Sequence, residues 1–388
     1  MSNYYISDFA FSCHLGKSKE QLKSKLFDPN FKPSPLKVDL VSGDESFFFQ
    51  IQEELPEMKE AFKAFDSRNN RLALSVMEQV SSKLDFLTDK YSRERLGIVC
   101  ATSTTGMDTF ENAMRTANKD MSLSDYNFSL QEMGNLSDFV QKYLDWRGPA
   151  YTVSTACSSG LKIFAEAKRL LDADLCDVVL LVAADTYCDL TVNGFNSLEA
   201  TSKSLCNPFS KNRDGINIGE AGAVFILGKE ISDFRLAGIG ESSDAYHISS
   251  PEPEGKFAKL AIAQALTMAK ISANDIGYLN LHGTATKKND SMEALLVDSI
   301  FTNRLKVSST KSFVGHCLGA AGAIELVFCL LALEEGLCPM HLNDREWDTD
   351  FPKLNFVEAK TELNSRFVMS NSFAFGGSNA SMIVEKVK

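Results

Sequence analysis

Short apolar runs alternate with stretches of helical spacing along this chain. Residues 94–100, 178–184 and 276–281 are segments of strand length, and the second of them is continuously apolar. Residues 161–172 place apolar side chains at the intervals of one helix face. Residues 17–90 mix charges with apolar clusters, and we expect helices and loops there. Buried strands that alternate with helices are typical of an α/β fold whose sheets are covered on both faces.

Two segments share the same order of predicted elements. Residues 151–160 and 306–323 each contain a strand-like stretch, a turn of serine and threonine, and the start of a helix. Either a duplicated α/β unit or a chance similarity between strand–turn–helix segments explains this echo. Proline, glycine and acidic residues interrupt the pattern between residues 240 and 255. We therefore expect an N-terminal half at residues 1–245 and a C-terminal half at residues 246–388.

Composition and charge exclude several classes of protein. The chain has 388 residues, of which 44% are hydrophobic, which is enough for a large core. Its formal net charge of −11 disfavours the phosphate backbone, so we expect no nucleic-acid partner. The longest apolar stretch, residues 318–333, is interrupted by Glu325, so we expect no membrane span. Nine cysteines without a C-x-x-C pair argue against a disulfide framework or a zinc site. With no signal-peptide pattern in residues 1–17, we expect a cytoplasmic protein that binds no metal.

Cys157 is the strongest candidate for a nucleophile. It follows a strand-like stretch and lies where a helix begins, so the positive end of the helix dipole favours a thiolate and lowers the thiol pKa. Ser158, Ser159 and Gly160 are small, which leaves room for an acyl group. The alternative interpretation is a buried, inert cysteine.

Two of the five histidines lie beside glycine at predicted strand ends. They are His282 and His316, and two imidazoles near a cysteine suit acyl chemistry as bases or as donors to an oxyanion. The alternative is that each is an ordinary core or surface histidine. Near the C-terminus, Gly376 and Gly377 follow Phe375, so the backbone there can approach a ligand closely or form a tight turn between two strands.

Together these segments resemble the β-ketoacyl-[acyl carrier protein] synthases of the type with one cysteine and two histidines. The resemblance covers most of residues 90–385, and its motifs are residues 154–160, 207–215, 219–223, 282–293, 309–322 and 371–380. It implies a thiolase-like fold, in which two pseudo-duplicated α/β halves form five layers (α-β-α-β-α). The N-terminal half would then carry the nucleophile and the C-terminal half the catalytic histidines.

The resemblance also assigns roles to individual residues. The catalytic set is Cys157, His282, His316, Lys311, Glu293 and Asp290. Cys157 is the acyl-accepting nucleophile, and both histidines serve decarboxylation. Glu293 is the expected partner of Lys311, and Asp290 is expected to support the loop of His282.

The resemblance also predicts which residues bind the substrate and the carrier protein. The backbone N–H groups of Cys157 and Phe375 would form the oxyanion hole, with Phe375 and Phe373 at the gate of the acyl pocket. The substrate-binding residues would be Thr284, Thr286, Gly376 and Gly377, and the basic patch for an acidic carrier protein would be Lys59, Lys63, Arg68 and Lys203. Ala374 and Ile216 depart from the family pattern, which usually has glycine and an aromatic residue at these positions.

The function that the resemblance implies is decarboxylative condensation of an acyl-cysteine with malonyl-[acyl carrier protein], which lengthens a fatty-acid-like, polyketide or polyene chain by two carbons. No bound cofactor is expected, because phosphopantetheine arrives on the acyl carrier protein. The working form would be a homodimer or a heterodimer with a homologous ketosynthase-like subunit. The alternative is a non-catalytic chain-length partner subunit, which would lack the nucleophile. A thiolase would carry a second cysteine in residues 371–380, and this chain has none there.

Overall fold

The computed structural model of the protein describes residues 3–117 and 126–387. Its strands are β1 (Tyr5–Cys13), β2 (Leu36–Asp39), β3 (Glu45–Phe49), β4 (Leu96–Ala101), β5 (Ala150–Val153), β6 (Val178–Asp185), β7 (Ile218–Gly219), β8 (Ala221–Gly228), β9 (Phe234–Ser243), β10 (Ile276–Asn280), β11 (Lys306–Ser308), β12 (Phe367–Phe373) and β13 (Ser378–Lys386). Its α-helices are α1 (Lys19–Leu26), α2 (Arg68–Gln79), α3 (Ser81–Lys90), α4 (Met107–Thr116), α5 (Asn135–Leu144), α6 (Ser159–Asp172), α7 (Asp189–Ser197), α8 (Lys256–Ala269), α9 (Lys287–Ile300), α10 (Lys311–Val314) and α11 (Ala321–Glu335).

Two units of five strands have the same topology. The first has the order β5–β4–β6–β8–β1 and the second the order β11–β10–β12–β13–β9. In each unit the first three strands of this order are parallel, and the remaining two are each antiparallel to the preceding neighbour. A short pairing of β1 with β9 joins the units edge to edge. The expected duplication is therefore confirmed at the level of the fold, and the two segments of the sequence echo begin in equivalent strands, β5 and β11.

The boundary between the two units lies earlier in the chain than the irregular segment at residues 240–255 suggested. The second unit begins with β9, which pairs with β13 over nearly its whole length. Residues 244–255 form a loop between β9 and α8, inside the second unit. The proline and glycine residues there therefore mark a loop within the second unit. The first unit ends with β8, and the second begins with β9.

The helices form three layers around the two units. Helices α6 and α11 pack against one another between the units, with α6 on β4 and β6 and α11 on β12. Their apolar side chains share one core with strands of both units. Helices α2 and α5 cover the outer face of the first unit, and α8 and α9 cover the outer face of the second. Helix α11 is buried from Ala321 to Leu333, and apart from Glu325 this part is apolar on all sides, as expected for a helix in the central layer.

Residues 17–90 contain a strand pair that we expected to be helices and loops. Strands β2 and β3 are antiparallel, and β3 continues into a parallel pairing with the short β7. The run Phe47–Phe49 lacks the alternation of apolar and polar residues that identifies a strand, and β2 is largely exposed. Among the described residues, every helix is too short or too polar to span a bilayer.

The parallel strands bring the predicted site together. Cys157 follows β5, His282 follows β10, and Lys311 follows β11, so each lies beyond the carboxyl end of a parallel strand. Phe375 lies in the turn between β12 and β13, where a tight turn was one of the two expectations. Ligand sites in open α/β sheets form at this end of the strands.

Candidate active site

The turn that carries Cys157 is tight and held by hydroxyl groups. Ala156 has φ of 52°, in the left-handed region, and α6 begins two residues after the cysteine. The Ser159 hydroxyl accepts the Thr155 N–H at 2.8 Å and donates to the Ala156 carbonyl at 2.6 Å. The Ser158 hydroxyl donates to the Thr155 carbonyl at 2.8 Å. Ser158 and Ser159, whose small size we expected to leave room for an acyl group, therefore also fix the direction of the Cys157 side chain.

Cys157, His282 and His316 meet in one buried cluster. The Cys157 Sγ atom lies 3.0 Å from Nε2 of His316. The two imidazole rings are nearly perpendicular, with centroids 5.6 Å apart. One donor atom from each of the three residues lies within 4.8 Å of the others. All three side chains are at most 5% exposed, so water is largely excluded from the reacting atoms.

The hydrogen bonds of His316 determine its tautomer. The Leu318 N–H donates to Nδ1 of His316 at 3.2 Å, so this nitrogen carries a lone pair. Burial and the charge of Lys311 lower the pKa of His316 well below its ordinary value, and the ring is neutral at neutral pH. Its single proton is therefore on Nε2, which faces Cys157. His316 is arranged as a hydrogen-bond donor toward the sulfur and has no free lone pair there to act as a base.

His282 is arranged in a similar way. Its Nδ1 lies 3.5 Å from Nζ of Lys311, which donates to it, so the proton is on Nε2. Burial, Lys311 and His316 lower the pKa of His282 well below its ordinary value. Two neutral N–H donors therefore face the same small volume as the Cys157 sulfur.

Glu293 holds the backbone of the His282 loop. Its carboxylate accepts the N–H of His282 at 2.9 Å and the N–H of Gly283 at 2.8 Å. Burial raises the pKa of Glu293 to about 7, and these N–H groups oppose that rise. The prediction that Glu293 pairs with Lys311 is wrong, because both of its oxygens face the backbone of this loop.

Lys311 pairs instead with Glu325. Its Nζ lies 2.5 Å from Oε1 of Glu325 and also donates to the carbonyl of His282. Both side chains of this ion pair are 2% exposed. Burial raises the pKa of Glu325 to about 6, and the charge of Lys311 opposes that rise. In the sequence, Glu325 is recognisable only as a charged residue that interrupts an apolar stretch. The stretch is apolar because α11 lies in the central layer.

Asp290 supports the same region from α9. It accepts the N–H of Phe209 at 2.8 Å and a backbone hydrogen bond from Ala285. Burial raises the pKa of Asp290 to about 6. The position of Asp290 therefore fits its predicted role as a support of the His282 loop, and it lies away from the Cys157 sulfur.

The pKa of Cys157 departs from the sequence expectation. Burial raises the pKa of this thiol to about 11 from an ordinary 9.0, while Lys311 and the N–H groups of Phe375 and Cys157 lower it. The sequence predicted a net lowering, and the pKa is raised instead, because the loss of water around the sulfur outweighs Lys311 and the two N–H groups. The two N–H groups predicted for the oxyanion hole point toward the sulfur, and their role as donors to a carbonyl oxyanion stays a prediction.

Phe375 and Phe373, the predicted gate residues, line the cavity around Cys157. The rings of Phe375 and Phe195 are 5.8 Å apart, and Phe373 packs edge-on against His282 at 6.1 Å. The cavity is further lined by Ala374 and Ile216, the two positions that depart from the family pattern.

The predicted substrate-binding residues separate into two groups. Thr284 and Thr286 line the cavity, and their hydroxyls are 2.9 Å apart. Gly376 and Gly377 shape the turn behind Phe375, both with φ of 81°. A Cβ on Gly377 would lie 2.2 Å from the Asp244 carbonyl, so glycine is required there for close backbone contact.

Three of the four predicted carrier-patch cations are paired with acids. Lys63 lies 2.7 Å from Asp66, and Lys203 lies 2.7 Å from Asp44. Arg68 donates two hydrogen bonds of 2.7 Å to the buried carboxylate of Glu220, so its guanidinium holds the fold together. Lys59 is exposed. A patch for an acidic partner therefore stays a prediction, and Arg68 is its weakest member.

Cys157, His282 and His316 are also close enough to be considered as metal ligands. A metal on Nε2 of His316 would require the proton to move to Nδ1, where the Leu318 N–H already donates. The hydrogen bonds of the ring therefore favour the role of a donor over that of a ligand.

Comparisons with known proteins agree with this geometry. The family model "Beta-ketoacyl synthase, N-terminal domain" matches residues 43–231, and "Beta-ketoacyl synthase, C-terminal domain" matches residues 234–344. The mitochondrial 3-oxoacyl-[acyl-carrier-protein] synthase of Arabidopsis thaliana is 35% identical over 274 residues, covering 65% of this chain and 59% of the plant protein. Nodulation protein E of Rhizobium leguminosarum bv. trifolii is 32% identical over 336 residues, covering 82% of each chain. The alignments to the plant enzyme and to nodulation protein E of Rhizobium meliloti thus span 59% and 64% of those relatives.

Solved structures share the whole fold. A chain of the complex of a ketosynthase (ApeO) with its chain length factor (ApeC) from Xenorhabdus doucetiae is 38% identical, with a TM-score of 0.93, and the match covers 100% of this chain and 98% of that one. A beta-ketoacyl synthase from Burkholderia phymatum is 25% identical, with a TM-score of 0.87 over 100% of both chains. The expected thiolase-like fold is confirmed, and the chain belongs to the beta-ketoacyl synthase family.

Proposed function

We propose that this protein catalyses the decarboxylative Claisen condensation of an acyl group on Cys157 with malonyl-[acyl carrier protein]. The product is a fatty-acid-like, polyketide or polyene chain that is longer by two carbons. The observation that carries this proposal is the approach of Nε2 of His316 to the Cys157 sulfur at 3.0 Å, with His282 in the same buried cluster.

In the first step the Cys157 sulfur attacks the thioester of an acyl carrier. The carbonyl oxygen becomes negative and accepts the N–H groups of Cys157 and Phe375, which already point toward the sulfur. The tetrahedral intermediate expels the pantetheine thiol, which takes the proton that the cysteine gives up. The acyl group is then held on Cys157 as a thioester.

In the second step malonyl thioester loses carbon dioxide. The pair of electrons from the broken C–C bond enters the enolate, whose oxygen becomes negative. The Nε2–H groups of His282 and His316 are neutral donors to this oxygen, and they require no proton transfer. Lys311 keeps His282 in the donor tautomer through its contact with Nδ1.

In the third step the enolate carbon attacks the acyl-cysteine carbonyl. The new C–C bond forms, the oxyanion again occupies the two backbone N–H groups, and collapse expels the Cys157 thiolate. The thiolate then takes a proton and the β-ketoacyl carrier leaves. The cavity of aromatic and small side chains excludes water, which would otherwise hydrolyse the acyl-cysteine.

The proposed chemistry needs an acyl carrier protein, which supplies the phosphopantetheine arm. The second proposed partner is a ketosynthase-like subunit. The similar complex from Xenorhabdus doucetiae contains a ketosynthase and its chain length factor, which supports a heterodimer with a homologous subunit and leaves a homodimer as the alternative. A non-catalytic partner role for this chain is disfavoured, because Cys157, His282 and His316 are all present and meet in space.

A covalent labelling experiment tests the proposal. The protein, alone and with a homologous subunit from the same source, is treated with a carrier that bears a radioactive acyl group. We expect the label on Cys157 and none in the Cys157→Ala variant. Addition of malonyl carrier should release a β-ketoacyl product two carbons longer, identified by mass spectrometry. A folded sample that takes up no label under either condition would contradict the proposed function.

We also propose that the protein works in a reducing compartment such as the cytoplasm. All nine cysteines are free and buried, which supports this location. Cell fractionation with an antibody against the chain tests it, and recovery from an oxidising compartment would contradict it.

A further inference from the structure

Asp185 is a fully buried carboxylate at the end of β6 that no step of the proposed reaction uses. Its Oδ1 atom accepts the N–H groups of Ser103 (2.7 Å) and Thr104 (2.8 Å). The same oxygen accepts the hydroxyls of Thr102 (2.9 Å) and Thr104 (2.8 Å). Its Oδ2 atom accepts the N–H of Ala320 at 3.0 Å. One carboxylate therefore connects a turn of the first unit with the start of α11 in the second.

The backbone between His316 and α11 has a conformation that needs support. Leu318 has φ of 50°, in the left-handed region that disfavours residues with a Cβ. A Cβ on Gly319 would lie 2.8 Å from Oδ2 of Asp185, so the carboxylate and this turn are in direct contact. The Ala320 N–H is also within 3.0 Å of the Cys317 carbonyl, which closes the turn locally.

This conformation is the one that sets the proton position on His316. With Leu318 in the left-handed region, its N–H reaches Nδ1 of His316 at 3.2 Å. If the turn relaxed, this N–H would move away and Nδ1 would be free to carry the proton. Nε2 would then present a lone pair to the sulfur and to the enolate, where the reaction needs a donor.

We propose that Asp185 is a positioning residue, which holds the turn after His316 so that the neutral ring keeps its proton on Nε2. The carboxylate acts from the other unit of the fold, through Ala320 and Leu318, and it touches no reacting atom. Its predicted effect on the rate rests on the proposed function, whereas its effect on the tautomer does not.

The Asp185→Asn variant isolates the contact with the turn. The amide oxygen can take the place of Oδ1 and keep the four donors of the first unit. The amide NH2 group then faces the Ala320 N–H, where two donors meet and no hydrogen bond forms. Loss of one hydrogen bond corresponds to about a tenfold change in an equilibrium, so the tautomer ratio of His316 should shift by about that factor.

The tautomer is read directly by NMR. The full chain is labelled with 15N-histidine, and two-bond 15N–1H correlations identify which ring nitrogen carries the proton. The His316→Gln variant assigns the His316 signals. We expect Nε2–H for the unaltered protein and a mixed or Nδ1–H pattern for Asp185→Asn. An Asp185→Asn protein that is folded and shows an unchanged His316 pattern would overturn the proposal.

Two further variants keep the test decisive. Thr104→Val removes one donor from Oδ1 and leaves the Ala320 contact, so it should lower stability and leave the His316 signals unchanged. Gly319→Ala places a methyl group 2.7 Å from the Ser103 hydroxyl and 2.8 Å from Oδ2 of Asp185. It should therefore displace the turn from the carboxylate and shift the tautomer in the same direction as Asp185→Asn. If Asp185→Asn does not fold, Gly319→Ala carries the test, and an unchanged His316 pattern in it would overturn the proposal.

The kinetic consequence separates positioning from stability. For Asp185→Asn we expect carbon dioxide release from malonyl carrier to fall about tenfold in kcat, with KM within twofold, because substrate binding does not involve this carboxylate. A shifted tautomer with unchanged decarboxylation would contradict the proposed function of His316 and leave the positioning of its ring by Asp185 in place.

Discussion

The turn after β5 and the turn after β11 occupy equivalent places in the two units, but they carry opposite chemistry. The first is short, residues 154–158, and presents the Cys157 sulfur directly before α6. The second is longer, residues 309–320, and includes the short helix α10 before α11 begins. The added length carries both Lys311 and His316. Nε2 of His316 faces the Cys157 sulfur, whereas Nζ of Lys311 donates to His282 and Glu325. In the proposed reaction one unit thus supplies the electron pair, and the other supplies the two histidine donors that receive negative charge.

Each unit also uses a buried carboxylate in the same way. Asp185 accepts two consecutive backbone N–H groups after β4, and Glu293 accepts two consecutive N–H groups after β10. Strands β4 and β10 are equivalent in the repeat. Both units therefore fix a loop in the same way, but the loops carry different side chains. His282 follows β10, whereas the loop after β4 has four hydroxyl residues and Gly106.

The largest effect should follow from breaking the buried ion pair of the longer turn. Glu325→Ala leaves the ammonium of Lys311 without its counter-charge at a site that is 2% exposed. Removal of one partner from a buried pair costs about 3–5 kcal/mol, so the free energy of unfolding in urea should fall by that amount.

The double variant Lys311→Met/Glu325→Gln is the matched control for this loss. It removes both charges, and it should recover most of the stability while condensation stays low, because His282 has lost its donor to Nδ1. If the double variant were as unstable as Glu325→Ala, packing rather than the unpaired charge would explain the loss.

A second prediction separates the roles of the two turns. His316→Phe removes a donor to the enolate and should lower decarboxylation of malonyl carrier by about 10²–10³-fold, or roughly 2.7–4 kcal/mol. Cys157→Ala should retain carbon dioxide release and lose acyl transfer, since only the latter needs the sulfur. Carbon dioxide release and covalent acyl label are measured on the same samples. Equal loss of both activities in both variants would show that the two turns do not divide the chemistry.

The sequence predicted the reacting groups of this site better than it predicted their supports. Cys157 was identifiable from the small residues around it, and His282 and His316 from glycine at strand ends. Their supports lie far along the chain, and the choice between Glu293 and Glu325 as partner of Lys311 depends on which helix packs in the central layer. Both acids lie in helices, α9 and α11, and the local sequence does not show which of them faces Lys311.

The local sequence also does not reveal pKa values or contacts that depend on burial. The helix N-terminus near Cys157 was correctly located, but the pKa of the thiol is set first by the loss of water, which the local sequence does not reveal. Asp185 had one visible signal, a carboxylate directly after the continuous apolar run at residues 178–184. Its connection to Ala320 crosses between the two units, and no local pattern reports such a contact.

A third prediction concerns the place where the two central helices meet. A Cβ on Gly160 would lie 2.6 Å from the backbone nitrogen of Ala323 in α11. Gly160→Ala should therefore destabilise the fold by about 1–3 kcal/mol and move Cys157 relative to His316. Gly194→Ala in α7 is the control, because a Cβ there meets no atom within 4 Å. Equal thermal stability of the two variants would show that the helices can separate without cost.

The last prediction compares the sulfur with an ordinary thiol. Burial raises the pKa of Cys157 to about 11, so the thiol form dominates at neutral pH and the thiolate fraction reaches one half only near pH 11. Alkylation of Cys157 by iodoacetamide should therefore accelerate about tenfold per pH unit between pH 7 and 10, because only the thiolate reacts. At pH 8 the alkylation of Cys157 should be about 100-fold slower than that of an equally accessible peptide thiol, because the pKa of Cys157 is raised from 9.0 to about 11.

Lys311→Met sharpens this measurement, because the Lys311 charge lowers the pKa of Cys157 from the opposite unit. Without that charge the thiolate is less stable, so alkylation at pH 8 should slow further while the slope with pH stays the same. The modified site is identified by peptide mass spectrometry against Cys157→Ala. A rate that is already independent of pH at pH 7 would show a thiolate at rest. The donors of the second unit would then outweigh burial, and the sulfur would be ionised before any substrate arrives.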